Sequence, residues 1–329
     1  MIVTRTPLRI SLGGGGTDLP SYYRKHGGFV ISAAINKYIY INVNKHFFPG
    51  YLLKYSETEH ANSVGEIKHR IIREALTMLN IDEPLEITSM ADVPGGTGLG
   101  SSGTFTVGLV HALLAHSRGL ADAELLAQSA VEIEMNRLKD PVGKQDQYIA
   151  AYGGILIQEY LPDDTVKVSS AKMSEQSLFE LRDSLMLFFV GTTRSASTIL
   201  QDQKTRSEQD DDAMMRSLHH AKEIGYQTLQ VLESGNISHL GDLMHEHWLK
   251  KRERSKGMTN GRIDELYDLA LSEGGASGGK LVGAGGSGFL MFQTSDRRRL
   301  RRILLEQGLS EVDFSFDFDG SIVLLRNRG

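Results

Sequence analysis

Residues 94–104 read PGGTGLGSSGT, a run in which glycines alternate with hydroxyl-bearing side chains. Glycine has no Cβ, so neighbouring backbone N–H groups can turn inward unobstructed. A helix that starts at the end of such a run adds the partial positive charge of its first turn. Gly95, Gly96, Thr97, Gly98, Leu99 and Gly100 therefore form a candidate anion cradle suited to a nucleotide phosphate. Ser101 and Ser102 then place hydroxyls where a phosphate-bound Mg²⁺ would sit. No lysine follows Gly100, so the cradle departs from the Walker pattern.

A second kind of chemistry lies in EIEMNRLKDPVGKQDQ at residues 132–147. Asp146 falls just past a Pro-Val-Gly break, at the start of a short predicted helix, where Lys144, Gln145 and Gln147 can pair with it. Glu134 and Asp146 answer the need of a phosphate cleft for a metal ligand and a base, while Glu132 reads as a solvated helix face. Two more glycine loops occur, GGGGTD at 13–18 and GAGGSG at 283–288. Each lies between a strand and another element, so the amides of all three loops can converge on one cleft. Residues 98–103 and 283–288 both match G-x-G-x-x-G, which carries little in a chain with 35 glycines. A dinucleotide fold puts that fingerprint in its first βαβ unit, whereas the first match here begins at Gly98.

Other polar clusters read more plainly. His245 and His247 are two apart, which points their rings to different helix faces and argues against a shared metal. That segment is expected to be an ordinary surface helix with Trp248 partly buried. Arg297 to Arg302 reads as a solvated helix face with Leu300, Ile303 and Leu304 inward.

The elements that must carry these residues fit a mixed architecture. Strands are predicted at 2–12, 29–43, 85–90, 155–160 and 185–190, with two more flanking the third glycine loop within 280–292 and a last strand pair around Asp319 and Gly320. Helices are predicted at 64–79, 105–114, 122–138, 143–151, 211–233, 237–253, 262–272 and 296–307. Runs of strands and runs of helices without regular βαβ alternation indicate an α+β fold. Turn residues at 162–164 mark a seam between halves of 1–160 and 161–329, an ordinary domain size for each.

A composition of 40 % hydrophobic and 23 % charged residues is that of a soluble globular protein. A net charge of −5 offers no electrostatic reason to expect nucleic acid or an anionic membrane as partner. No window approaches the roughly 18 apolar residues of a membrane span, and the first residues lack the layout of a signal peptide. The absence of cysteine excludes disulfides, thiolate metal sites and a cysteine nucleophile, and makes the cytoplasm the expected location. A homodimer stays open.

All three glycine loops fit one pattern. The chain resembles the GHMP kinase superfamily (galactokinase, homoserine kinase, mevalonate kinase and phosphomevalonate kinase) over essentially its whole length. Residues 7–18, PLRISLGGGGTD, match a first motif that galactokinases write PGRVNLIGEHTD. Residues 94–104 match the phosphate-loop motif, and VGAGGSG at 282–288 matches the third. The resemblance implies a ribosomal protein S5 domain 2-like N-terminal domain, a ferredoxin-like C-terminal domain and an active site in the cleft between them. ATP and Mg²⁺ are the implied cofactors, with a small-molecule sugar or sugar phosphate as the other partner.

Carried over by position, Arg9 and Asp146 are the implied catalytic pair, with Lys144 as a further cation beside the base. Glu134 and Ser102 (or Ser101) are the implied metal ligands. Gly15, Gly16, Thr17 and Asp18 would meet the sugar, and the amides of Gly285, Gly286 and Ser287 the transferring group. Gly15 and Gly16 replace the E-H pair of galactokinases, which removes two side chains from the sugar pocket and argues against galactose. Residues 9–23 and the GTTRSAS run at 191–197 are similar to the D-glycero-D-manno-heptose 7-phosphate kinase branch. On that likeness Arg194 is the first candidate to hold the acceptor's phosphate and Arg24 the second, and the adenine pocket falls within 51–64. The alternatives are another sugar-1-kinase of the fucose or uronic acid type, or a catalytically silent sensor, which would be expected to lose Asp146 or Glu134.

Overall fold

The first strand alternates buried and half-buried side chains over its first four residues and is then buried without interruption from Thr6 to Gly13. That change marks where both faces of the strand become covered, the helix Ser101–His116 already lying on one of them at Thr4. In a computed structural model, which describes residues 1–191, 197–255 and 257–327, twelve strands are found among those residues. They are β1 Ile2–Gly13, β2 Gly28–Lys45, β3 Tyr51–Lys54, β4 Thr58–Ala61, β5 Leu85–Ala91 and β6 Ile155–Tyr160. There follow β7 Val166–Ser170, β8 Leu185–Phe189, β9 Ala276–Leu281, β10 Phe289–Thr294, β11 Ser310–Glu311 and β12 Ile322–Arg326.

A large sheet runs β12-β1-β2-β5-β3-β4, with β6 pairing β2 and β7 pairing β6. A smaller sheet runs β11-β8-β10-β9. The helix Ser101–His116 lies close on the large sheet because of Gly108, where a Cβ would stand 2.8 Å from Thr6 Oγ1. Thr4 Oγ1 donates to the Gly108 carbonyl at 2.9 Å and fixes that contact. The second sheet has its own core, with Phe188, Trp248, Tyr267, Phe292, Leu300 and Leu304 buried against it. Each such side chain contributes about 1.5–3 kcal/mol of apolar burial. The helix Asp212–Ser234 joins the two parts, packing Gly225 against Phe29 and Gly14 of the first glycine loop.

Some expectations shift. The segment predicted as one helix over 64–79 is a 3₁₀ turn, Val64–Glu66, followed by the helix Arg70–Met78. The helix capped by Asp122 runs as α-helix over Ala123–Val131 and then widens into a π-helical turn, Glu132–Arg137. The last strands do not pair with each other. β11 adds to the small sheet, while β12 crosses to the large one and sets Ile2 opposite Arg326. No helix among the described residues is long and apolar enough to cross a membrane.

Candidate active site

The end of β1, the phosphate loop, the turn before the helix Gln145–Tyr152 and the end of β9 surround one cavity of about 600 Å³. Arg9 and Asp146, separated by 137 positions in sequence, meet at its wall. Arg9 Nε and Nη2 both lie 2.8 Å from Asp146 Oδ1, while Nη1 donates to the Gly98 carbonyl at 2.5 Å. The Arg9 backbone N–H donates to the Leu99 carbonyl, so strand and phosphate loop are tied at the same residue. Asp146 Oδ2 is left towards Gly100, where a Cβ would stand 3.2 Å away. At Gly103 a Cβ would come within 2.8 Å of Asp146 Cβ. Glycine at both positions lets the start of the helix press against the carboxylate.

Glu134 is fully buried in the π-helical turn, a local widening of the kind often found at functional sites. It accepts from the Ser102 hydroxyl on one oxygen and from Gln147 Nε2 at 2.7 Å on the other. Burial raises its pKa to about 7. Asp18 is buried beside them and accepts from the Gln145 N–H at 3.1 Å; burial also raises its pKa. Ser101 Oγ is buried and lacks a partner among the described residues.

In the phosphate loop Gly96, Gly98, Gly100, Ser101 and Ser102 line the cavity. Thr97 and Leu99 are buried and anchor the loop, Thr97 through its hydroxyl to the Pro94 carbonyl. The first and third loops complete the wall with Gly15, Gly16, Gly283 and Ala284. The third loop packs backbone on backbone against the phosphate loop: a Cβ at Gly283 would fall 2.5 Å from Gly98 Cα.

Several expected site residues are placed otherwise. Lys144 Nζ donates to the Asp164 carbonyl at 2.7 Å and lies over the Tyr23 ring, so Arg9 is the cation that touches Asp146. Thr17 Oγ1 bonds the Gly14 and Phe29 carbonyls and braces its loop from inside. The Gly286 amide is taken by the Met258 carbonyl, and a Cβ at Gly285 would collide with Met258 Sδ at 2.2 Å. Ser287 is buried below the loop. Arg24 is exposed and paired with Asp164, away from the cavity, and Arg194 lies outside the described residues.

Sequence reasoning missed another group. The helix Leu240–Arg252 buries one face, with Trp248 fully covered, and that face brings His247 and Lys251 to the cavity. Arg254, just beyond its end, and Lys280 from β9 join them. The sequence signal was the run HWLKKRER at 247–254, five basic residues in eight positions, which by itself reads equally as a solvated helix end.

This site sits in a chain with clear relatives. Family models for the GHMP kinase N-terminal and C-terminal domains match residues 64–154 and 228–308, together just over half the chain. The chain belongs to the GHMP kinases. This GHMP kinase is 29 % identical to the D-glycero-alpha-D-manno-heptose 7-phosphate kinase of Campylobacter jejuni over 97 % of both chains. It is 26 % identical to the bifunctional fucokinase/GDP-fucose pyrophosphorylase of Arabidopsis thaliana, spanning 93 % of this chain and 31 % of that longer one. Its fold superposes with a TM-score of 0.81 on a D-glycero-D-manno-heptose 1-phosphate kinase from Bacteroides thetaiotaomicron, at 24 % identity and 100 % of both chains. The α+β architecture expected from the sequence is thus the GHMP kinase fold, and the activity class is ATP-dependent sugar kinase.

Proposed function

We propose that the enzyme transfers the γ-phosphoryl group of ATP to the anomeric hydroxyl of D-glycero-D-manno-heptose 7-phosphate, giving the 1,7-bisphosphate in the cytoplasm. The observation that carries this reading is the likeness to the Campylobacter kinase along 97 % of both chains. Gly15 and Gly16 line the cavity without side chains, Gly16 making way for Arg254, which supports an acceptor other than galactose. The large sheet, which also takes in β7 and β12 from beyond the seam expected at residue 160, and the small sheet would form the two domains whose cleft holds the reaction. Closure of such a cleft excludes water from the transfer.

Phosphoryl transfer depends chiefly on positioning and charge stabilisation. Asp146 Oδ2 would accept the proton of the anomeric hydroxyl as its oxygen bonds to the γ-phosphorus and the bond to the β-phosphate bridging oxygen breaks, releasing ADP. Arg9, 2.8 Å from Oδ1, orients that carboxylate. Amides of residues 95–102 would hold the β-phosphate. The donor set fits Mg²⁺: a buried carboxyl, Glu134, accepts from the Ser102 hydroxyl at the edge of the phosphate loop. Mg²⁺ held there by Glu134 and Ser102 would neutralise charge on the β- and γ-phosphates.

A plain sugar-1-kinase is the second reading, favoured by the Arabidopsis fucokinase relative at 26 % identity. A silent sensor is disfavoured by the intact Arg9–Asp146 pair. The deciding experiment is ATP consumption against a panel of sugars and sugar phosphates, with ³¹P NMR of the product. Heptose 7-phosphate should be the best acceptor and should gain a second, anomeric phosphate. Equal rates with and without the distal phosphate would overturn the assignment in favour of the plain kinase.

A further inference from the structure

His247, Lys251, Arg254 and Lys280 are each at most 8 % exposed, and all four line the cavity. None is ion-paired with a carboxylate among the described residues; their bonds go chiefly to backbone carbonyls. Lys280 Nζ donates to the Leu12 carbonyl at 2.7 Å, and Lys251 Nζ to those of Leu281 and Gly283 at 3.1 and 2.5 Å. Arg254 Nε donates to Ser217 Oγ at 3.0 Å, and its Nη1 lies 3.4 Å from the Gly15 carbonyl. Arg254 Nη2, both ring nitrogens of His247 and the Ser11 hydroxyl are buried without partners among the described residues. Four unfilled polar atoms on three side chains that line one cavity are a strong sign of an occupant, because buried polar groups are nearly always hydrogen-bonded.

Charge points the same way. Burial, reinforced by mutual repulsion, pushes the pKa values of His247 and Lys251 well down and that of Lys280 to about 7. Gathering cations in a dry pocket without an acid is unfavourable unless an anion enters. The phosphates of ATP already have the amides of residues 95–102 and the Ser102–Glu134 corner. Lys280 and Arg254 reach the backbone of Leu12 and Gly15, on the floor proposed for the acceptor, and Lys251 ties the end of β9 to Gly283 of the third loop. At Gly16 a Cβ would stand 2.7 Å from Arg254 Nη1, so this glycine clears the approach of the guanidinium to that floor.

We infer that His247, Lys251, Arg254 and Lys280, with the Ser11 hydroxyl, form a buried dianion site that grips the phosphate the acceptor already carries. The inference rests on the proposed acceptor being a sugar phosphate, and it gives the recognition of that phosphate to residues from three distant segments. A guanidinium suits this task, since its fixed fork can donate two parallel bonds to phosphate oxygens.

Arg254→Gln and His247→Asn are the test variants, because Lys251 and Lys280 also hold backbone together. Steady-state kinetics would use heptose 7-phosphate and free heptose as acceptors, with thermal melting to verify folding. Arg254→Gln should lower kcat/KM for the phosphorylated acceptor about ten- to a hundredfold more than for the free sugar, mainly through KM. The KM for ATP should move far less. Inorganic phosphate, the probe for the site alone, should inhibit competitively against acceptor, and Arg254→Gln should weaken that inhibition. A variant that keeps the wild-type preference for the phosphorylated sugar sinks the site and leaves the function intact. A wild-type enzyme that prefers another sugar phosphate, with the preference lost in Arg254→Gln, sinks the named acceptor and keeps the site. A loss confined to ATP, or phosphate competing with ATP alone, overturns the site outright.

Discussion

In the proposed reaction Asp146 carries two demands at once: one oxygen is fixed by Arg9 and the other must stay open to a hydroxyl. Asp146→Asn keeps the volume and removes the base, so kcat should fall about 10²–10⁴-fold while nucleotide binding, followed by calorimetry, changes little. Retention of a tenth of the wild-type rate would take the base role from Asp146. Glu134→Gln should raise the Mg²⁺ concentration needed for half-maximal rate more than Ser102→Ala does, because it deletes a charge as well as a ligand. An unchanged Mg²⁺ requirement in both variants refutes that placement. The Arg9–Asp146 meeting was legible in the sequence because each residue sits in its own motif. Lys144 was not: Asp164 and Tyr23, which hold its ammonium, are neighbours only in the folded chain.

Among elements, the helix Ser101–His116 does most of the positioning, and its glycines set how closely it does so. Gly103→Ala would drive a methyl to 2.8 Å from Asp146 Cβ, with the helix start and the carboxylate forced apart. Overpacking of this kind costs about 1–3 kcal/mol, so the melting temperature should drop by several degrees while kcat falls further than stability alone explains. Parallel melting and kinetic measurements check it; an active, merely destabilised variant would make the glycine a packing residue only. Hydrophobic spacing gave most strands and helices to within a few residues. It could not show the π-helical turn that presents Glu134, because one wider turn leaves the apolar spacing nearly unchanged. It also paired the final strands with each other, since the partner of β12 lies some 300 positions earlier and pairing over that distance leaves no local signal.

At the scale of the molecule, the cation pocket is the least legible feature and the one with the broadest consequence. Residue 11, residues 247–254 and residue 280 each satisfy a local pattern of strand or helix, and only the fold makes them one site. Lys280 has its pKa lowered from 10.5 to about 7 in the folded chain, first by burial and then by Arg9. Between those values the unfolded chain holds a proton that the folded chain lacks, so stability rises with pH. Below about 7 both states are protonated and the full penalty of the buried charge remains. Lys251 is lowered in the same direction and adds to the slope, while Glu134, raised to about 7, is ionised in both states above that pH and adds nothing. The ligand-free protein should therefore melt at a higher temperature at pH 9 than at pH 7. An occupied pocket offsets the buried charge, so saturating sugar phosphate should stabilise more at pH 7 than at pH 9 and flatten the curve. Lys280→Met should flatten it without ligand. Melting temperatures that fall steadily from pH 7 to pH 9 in the ligand-free wild type would contradict an uncompensated cation at this position.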